Sequence, residues 1–210
     1  MQRGFPKVVK VTFDRVAAGT GLILLSPVLG AAALAIWATM GRPILFRQVR
    51  PGLKGRPFTL LKLRTMANRT DDTGRDLPDA DRLTAVGRFL RSASLDELPQ
   101  LWNVLRGDLS LVGPRPLLMK YLERYSPEQL RRHDVLPGIT GWAQVCGRNQ
   151  LSWQEKFAFD LWYVDNWSLS LDAKILALTA LRVLQRSGVN ADEHATMPEF
   201  LGNAAPAEGD

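Results

Sequence analysis

Between Val16 and Gly41 the chain runs for 26 residues without a charged side chain, and this stretch limits the available folds more than any other. As one helix it would extend roughly 39 Å, enough to cross a hydrocarbon core of about 30 Å. Ser26-Pro27 interrupts it near the middle. A proline there removes a backbone donor and crowds the carbonyl of Ile23, and the Ser26 hydroxyl can satisfy a group so freed. Each half alone is too short to span. The flanks add a second constraint: Arg3, Lys7, Lys10 and Arg15 precede the stretch, and Arg42, Arg47, Arg50, Lys54 and Arg56 follow it. The positive-inside rule assigns both ends to the cytoplasmic side. A helix-break-helix that enters and leaves one leaflet satisfies both observations. A kinked single span remains open, as does a cleaved signal peptide with small residues at Ala31, Ala33 and Ala35, although apolar residues continue past that cleavage site.

Charge follows the same division. Residues 1–70 hold 12 Lys and Arg against one acid, Asp14, whereas the remainder is acidic on balance. A basic block that brackets an apolar segment meets anionic lipid more readily than nucleic acid, so no nucleic-acid partner is expected. A single cysteine, Cys146, excludes an intrachain disulfide framework and fits a reducing compartment.

Beyond the apolar segment, 43–49 and 58–64 are short apolar runs around a Pro/Gly-rich loop, the pattern of a β-hairpin. Lys62 and Arg64 on its second strand share a face, as a solvated edge or as part of a phosphate cradle. The polar loop 68–81 carries no assigned chemistry, and 83–90 has helical spacing that brings Arg88 and Arg91 to its end. The densest opposed charge is in 91–116, RSASLDELPQLWNVLRGDLSLVGPRP, where Asp96 and Glu97 are adjacent. Ser94-x-x-Glu97 reads as a capping box, with Asp96 at a helix N-terminus that keeps it ionised and favours phosphate. Leu98, Leu101, Trp102 and Leu105 form the expected buried face of that helix. Gly113-Pro114-Arg115-Pro116 holds one guanidinium between two prolines, as a structural turn or as a bidentate phosphate ligand.

A polar surface helix is expected over 121–133, broken at Ser126-Pro127, with His133 structural. The glycine-rich stretch 137–148, ending at Arg148, is compatible with close approach to a nucleotide. Ser152-x-x-Glu155 caps an aromatic-rich helix to about Asp165, and 171–184 forms another apolar helix.

Several of these stretches together resemble the small monotopic bacterial phosphoglycosyltransferases that act on polyprenol phosphate, the sugar transferase family that starts membrane-linked glycans. The resemblance rests on Ser26-Pro27, Lys62 to Met66, Arg91 to Gln100, Gly107 to Pro116, Pro137 to Val145, and Gly188 to Met197, and covers about Lys10 to Phe200. Lys10-Val11 stands where relatives tend to carry paired basic residues, and Cys146 where close relatives carry Asn. The resemblance implies a UDP-sugar donor, transfer of sugar 1-phosphate to undecaprenyl phosphate, release of UMP and dependence on Mg2+. It implies Asp96 as nucleophile and Mg2+ ligand, and Glu97 as base or metal partner. Lys62, Arg64, Arg91, Arg115 and Arg148 become phosphate and nucleotide ligands. Covalent catalysis in two displacements at Asp96 is the expected mechanism. A membrane-bound scaffold for nucleotide sugars or partner enzymes is the alternative.

The expected architecture is α+β, mainly helical with a short β-hairpin. Residues 1–41 are a re-entrant membrane anchor broken at Ser26 and Pro27, 42–202 a cytoplasmic catalytic domain on the membrane surface, and 203–210 a disordered tail. The expected place is the cytoplasmic face of the bacterial inner membrane, with membrane lipid and downstream glycosyltransferases as further partners.

Overall fold

The computed structural model describes Gln2 and residues 4–75, 77–147, 151–184 and 199–203. Arg148, the 188–197 stretch and 204–210 of the expected tail lie outside the described residues. The described chain is mainly helical with two small sheets.

The apolar segment folds as two helices, α1 (Gly4–Leu24) and α2 (Ser26–Met40), bent by 60° at the Ser-Pro break. Pro27 brings no N–H to the carbonyl of Ile23, and the Ser26 hydroxyl donates to that carbonyl instead at 2.8 Å. Among the described residues no single helix is long and apolar enough to cross a membrane, whereas this bent pair passes that test together. Ile23 and Leu24 at the bend and Leu34 and Trp37 along α2 are exposed apolar side chains.

The hairpin is present as β1 (Leu45–Pro51) and β2 (Pro57–Leu63), antiparallel, with Phe46 opposite Lys62 and Arg50 opposite Phe58. After the polar loop come α3 (Asp79–Arg82) and α4 (Ala85–Ser92), the latter capped by Thr84, whose hydroxyl accepts from Gly87 N. The helix α5 (Gln100–Arg106) stops at Gly107, which takes a left-handed conformation at φ 85°. The expected buried face of α5 is corrected: Trp102 and Leu105 are exposed, and Gln100, Asn103 and Val104 are buried. Asn103 turns inward because its amide accepts from Leu61 N at 3.1 Å and donates to Thr59 O at 2.8 Å, so a side chain completes the free edge of β2.

A second sheet, not foreseen, pairs β3 (Ser110–Val112) in parallel with β4 (Gly138–Thr140). The expected 121–133 helix is replaced by a 3-10 stretch, Met119–Arg124, the short α6 (Pro127–Leu130) with Ser126 and Gln129 forming a capping box, and a second 3-10 turn, Arg131–Asp134. His133 is buried, as expected of a structural residue. Then follow α7 (Trp142–Cys146), α8 (Trp153–Asn166), capped by Ser152 and Glu155, and α9 (Leu169–Leu184).

Two arrangements hold α1 and α2 to the rest of the described chain. Lys10 of α1 is buried and donates to Asp172 Oδ2 (2.7 Å) and Val112 O (3.1 Å), while Tyr163 and Trp167 also donate to Asp172. Ser110 donates to Asp14 Oδ2 at 2.7 Å, so α1, β3, α8 and α9 meet in one polar cluster. On the other side Ala32 and Ile36 of α2 share an apolar core with Leu63 and Leu90, and Leu95 packs against it. The bent helix pair thereby supports the turn that carries Asp96.

Candidate active site

Leu95–Glu97 is a three-residue 3-10 turn, and the expected capping box does not form. Ser94 is left-handed, at φ 56°, and its side chain makes no capping bond; α5 starts only after Pro99. A proline fits the first turn of a helix but not its interior, so the chain turns in 3-10 geometry before α5 begins. Asp96 therefore lies ahead of the helix rather than on its first turn.

Freed from the cap, Glu97 reaches two cations. Its Oε1 accepts from Lys62 Nζ at 2.7 Å and from Arg115 Nη2 at 2.6 Å. Burial alone would raise its pKa, but Arg115 and Lys62 outweigh that and hold it at about 2. Glu97 is thus a fixed anion joining β2, the 3-10 turn and the Gly113–Pro116 turn. The peptide of Arg115 is held from behind, since Arg132 Nη2 donates to its carbonyl at 2.8 Å while itself paired with Asp160 at 2.6 Å. The close-approach glycines hold this turn too: a Cβ on Gly138 or Gly141 would lie 2.1 or 2.2 Å from Gly113 backbone atoms. Those glycines serve backbone packing.

Asp96 is 8% exposed and, among the described residues, has no hydrogen bond or ion pair. Burial and the neighbouring Glu97 charge raise its pKa, opposed by Lys62, Arg91 and Arg115. Arg91 donates Nε to Thr65 Oγ1 at 3.0 Å, and its terminal nitrogens make no hydrogen bond among the described residues. Burial, then Arg115, lowers the Lys62 ammonium, while Glu97 opposes the change.

Lys62, Arg91 and Arg115 are brought around the two carboxylates. Arg64 is not: it is buried, donating Nε to Met66 O at 2.9 Å and Nη1 toward the carbonyls of Met40, Arg42 and Pro43. Arg50, unassigned in the sequence, stands within electrostatic reach of Arg115, and burial and Arg115 together lower its pKa to about 10. Its signal was the hairpin register, which puts Arg50 and Lys62 on one face.

Among the described residues no group of three or more His, Cys, Asp or Glu could hold a metal. Mg2+ characteristically binds through one or two carboxylates completed by substrate phosphates, and the uncommitted Asp96 carboxylate fits that use. Glu97, already bonded to two cations, fits it less well.

The model of the bacterial sugar transferase family matches residues 5–186, nearly the whole described body. The chain belongs to the bacterial sugar transferase family. This sugar transferase is 53% identical over 196 residues to the uncharacterized sugar transferase EpsL of Bacillus subtilis, covering 93% of the chain and 97% of that protein. It is 47% identical over 187 residues to a UDP-glucose:undecaprenyl-phosphate glucose-1-phosphate transferase of Caulobacter vibrioides, covering 83% and 69%. With the undecaprenyl-phosphate galactose phosphotransferase of Salmonella typhimurium the identity is 39%, over 87% of this chain and 42% of the longer relative.

Proposed function

We propose that this sugar transferase moves a sugar 1-phosphate from a UDP-sugar to undecaprenyl phosphate, releasing UMP, by two displacements at Asp96. The observation that carries the reading is a buried carboxylate that, among the described residues, has no hydrogen-bond or ion-pair partner, beside cations whose positions are fixed by Glu97. The names of the relatives support the donor and acceptor classes. In the first step an Asp96 oxygen attacks the β-phosphorus. A P–O bond forms, and the bond to the bridging oxygen breaks with its electron pair leaving on UMP. In the second, an undecaprenyl phosphate oxygen attacks the same phosphorus and returns the Asp96 carboxylate. Lys62, Arg91 and Arg115 offset negative charge on the transferring group, and Glu97 keeps two of them in place without itself changing protonation. Mg2+, held by Asp96 and the diphosphate oxygens, would supply further charge neutralisation there.

The anchor completes the proposal. The 60° bend and basic flanks on both sides favour entry and exit through one leaflet, with 42–202 as a catalytic domain on the cytoplasmic face of the inner membrane. Membrane lipid then surrounds the exposed apolar residues at the bend, and downstream glycosyltransferases receive the product.

The test is UMP release by the full chain in lipid nanodiscs, using a panel of UDP-sugars with undecaprenyl phosphate and Mg2+. At least one donor is expected to release UMP in an acceptor-dependent manner. No release from any donor would overturn the reading in favour of a non-catalytic scaffold.

A further inference from the structure

Antiparallel register places Phe46, Gln48 and Arg50 of β1 on the same face as Phe58, Leu60 and Lys62 of β2. Four residues separate Arg50 from the partner of Lys62, roughly 13 Å along the strand at about 3.3 Å per residue. Arg115 interacts with both cations: Glu97 bridges it to Lys62, and its charge is felt at Arg50.

The surroundings of Arg50 do not neutralise it. Its Nη2 donates to the neutral Gln48 Oε1 at 2.6 Å, and its Nε is buried without a hydrogen-bond partner among the described residues. The nearby groups that act on it are Arg115, Tyr121 and Tyr125. Of the acids that act on Arg115, Glu97 is bonded to Lys62 and Arg115, and Asp96 is the uncommitted carboxylate proposed as the nucleophile; Asp160 is paired with Arg132. Among the described residues no carboxylate is bonded to Arg50, which lies within electrostatic reach of the Arg115 guanidinium, an arrangement that an added anion stabilises.

The two sides of Arg115 also differ in what they adjoin. On the Glu97 side, the 3-10 turn packs through Leu95 on the α2 core. On the Arg50 side stand Tyr121 and Tyr125, part of an aromatic core with Phe157 and Phe200. In the re-entrant arrangement proposed above, the lipid phosphate would come from the α2 side, which leaves the Arg50 side to the soluble nucleotide.

We propose that Arg50 and Arg115 form a phosphate subsite for the leaving nucleotide, binding the α-phosphate of the donor and then the phosphate of UMP. The inference rests on the transfer reaction proposed above and adds to it a second, anchor-distal phosphate position. Arg50 is a binding residue: its contact strengthens as the P–O bond breaks and charge gathers on UMP.

The experiment compares wild type with Arg50→Gln and Arg50→Lys in nanodiscs, first by UMP binding and UMP-induced thermal stabilisation, then by steady-state turnover. UMP binding requires no turnover, so it separates failure of the subsite from failure of the transfer reaction. Arg50→Gln is expected to unfold at or above the wild-type temperature without ligand, because it removes a charge of the same sign as Arg115. It is expected to bind UMP about ten- to hundred-fold more weakly, the usual range for losing one charge-assisted hydrogen bond. The donor kcat/KM should fall similarly, the KM for undecaprenyl phosphate should stay constant, and Arg50→Lys should recover part of the loss. Wild-type UMP affinity in Arg50→Gln would overturn the proposal. So would a change confined to the KM for undecaprenyl phosphate, which would assign the subsite to the lipid phosphate, or a lowered unfolding temperature without ligand, which would make Arg50 a structural pin.

Discussion

Asp96 and Glu97 are adjacent carboxylates placed in opposite environments. Glu97 lies between Lys62 and Arg115 and stays ionised down to about pH 2, whereas Asp96 is raised by burial and by Glu97 itself. Two neighbouring acids with pKa values pushed apart take different roles. Attack requires ionised Asp96, so first-step activity should fall with decreasing pH at values above the ordinary aspartate pKa of about 3.9. Glu97→Gln removes the negative charge that raises Asp96, and the acid limb should therefore move to lower pH. The same change releases Lys62 and Arg115 from their shared partner, and the plateau rate should drop about ten- to hundred-fold. Single-turnover UMP release without lipid measures both, free of the titration of the acceptor phosphate; an unmoved acid limb would separate Glu97 from Asp96. Arg64 offers a contrast at the same scale. Its bonds to the carbonyls of Met40, Arg42 and Pro43 tie the end of α2 to β2, so Arg64→Met should cost about 2 kcal/mol or more in stability and leave the donor KM near wild type. Raised donor KM with unchanged unfolding would restore Arg64 as a phosphate ligand.

At the level of elements, much of the site was legible because its parts carry strong local signals. Ser26-Pro27 marked the break, two apolar runs around a Pro/Gly-rich loop marked the hairpin, and Ser152-x-x-Glu155 marked the start of α8. The same capping pattern failed at Ser94, where Pro99 displaces the helix and Glu97 finds cations that local sequence cannot reveal as neighbours: Lys62 comes from β2, 35 residues away, and Arg115 from the Gly113–Pro116 turn, 18 residues away. Periodicity likewise misread α5, since Asn103 is buried to complete the edge of β2 rather than to fill an apolar stripe. The parallel pair of β3 and β4 was invisible because each strand is three residues long. The joint between α1 and the body is equally non-local. Lys10 and Asp172 are 162 residues apart and both buried, so Lys10→Met should destabilise by about 3–5 kcal/mol through an uncompensated Asp172. The double variant Lys10→Met/Asp172→Asn should lose less than the sum of the singles, measured by thermal unfolding in nanodiscs; strict additivity would separate the two residues.

For the whole molecule, the proposal is a catalytic body held at a bilayer surface so that a soluble nucleotide sugar and a lipid phosphate meet at one carboxylate. The proposed topology has both ends of the bent pair on one side. In a Cys146→Ser background, single cysteines replacing Lys7 and Arg47 should react with a membrane-impermeant maleimide from the same, cytoplasmic side; labelling of position 47 from the opposite side would replace the re-entrant anchor with a span. The central claim concerns Asp96 and has a direct measurement. The full chain is incubated with Mg2+ and a UDP-sugar that supports turnover, without undecaprenyl phosphate, and digested for mass spectrometry. The peptide containing Asp96 is expected to gain the mass of one sugar phosphate, with UMP released in equal amount and no adduct in Asp96→Asn. Absence of the adduct under conditions where the complete reaction turns over would contradict the covalent mechanism.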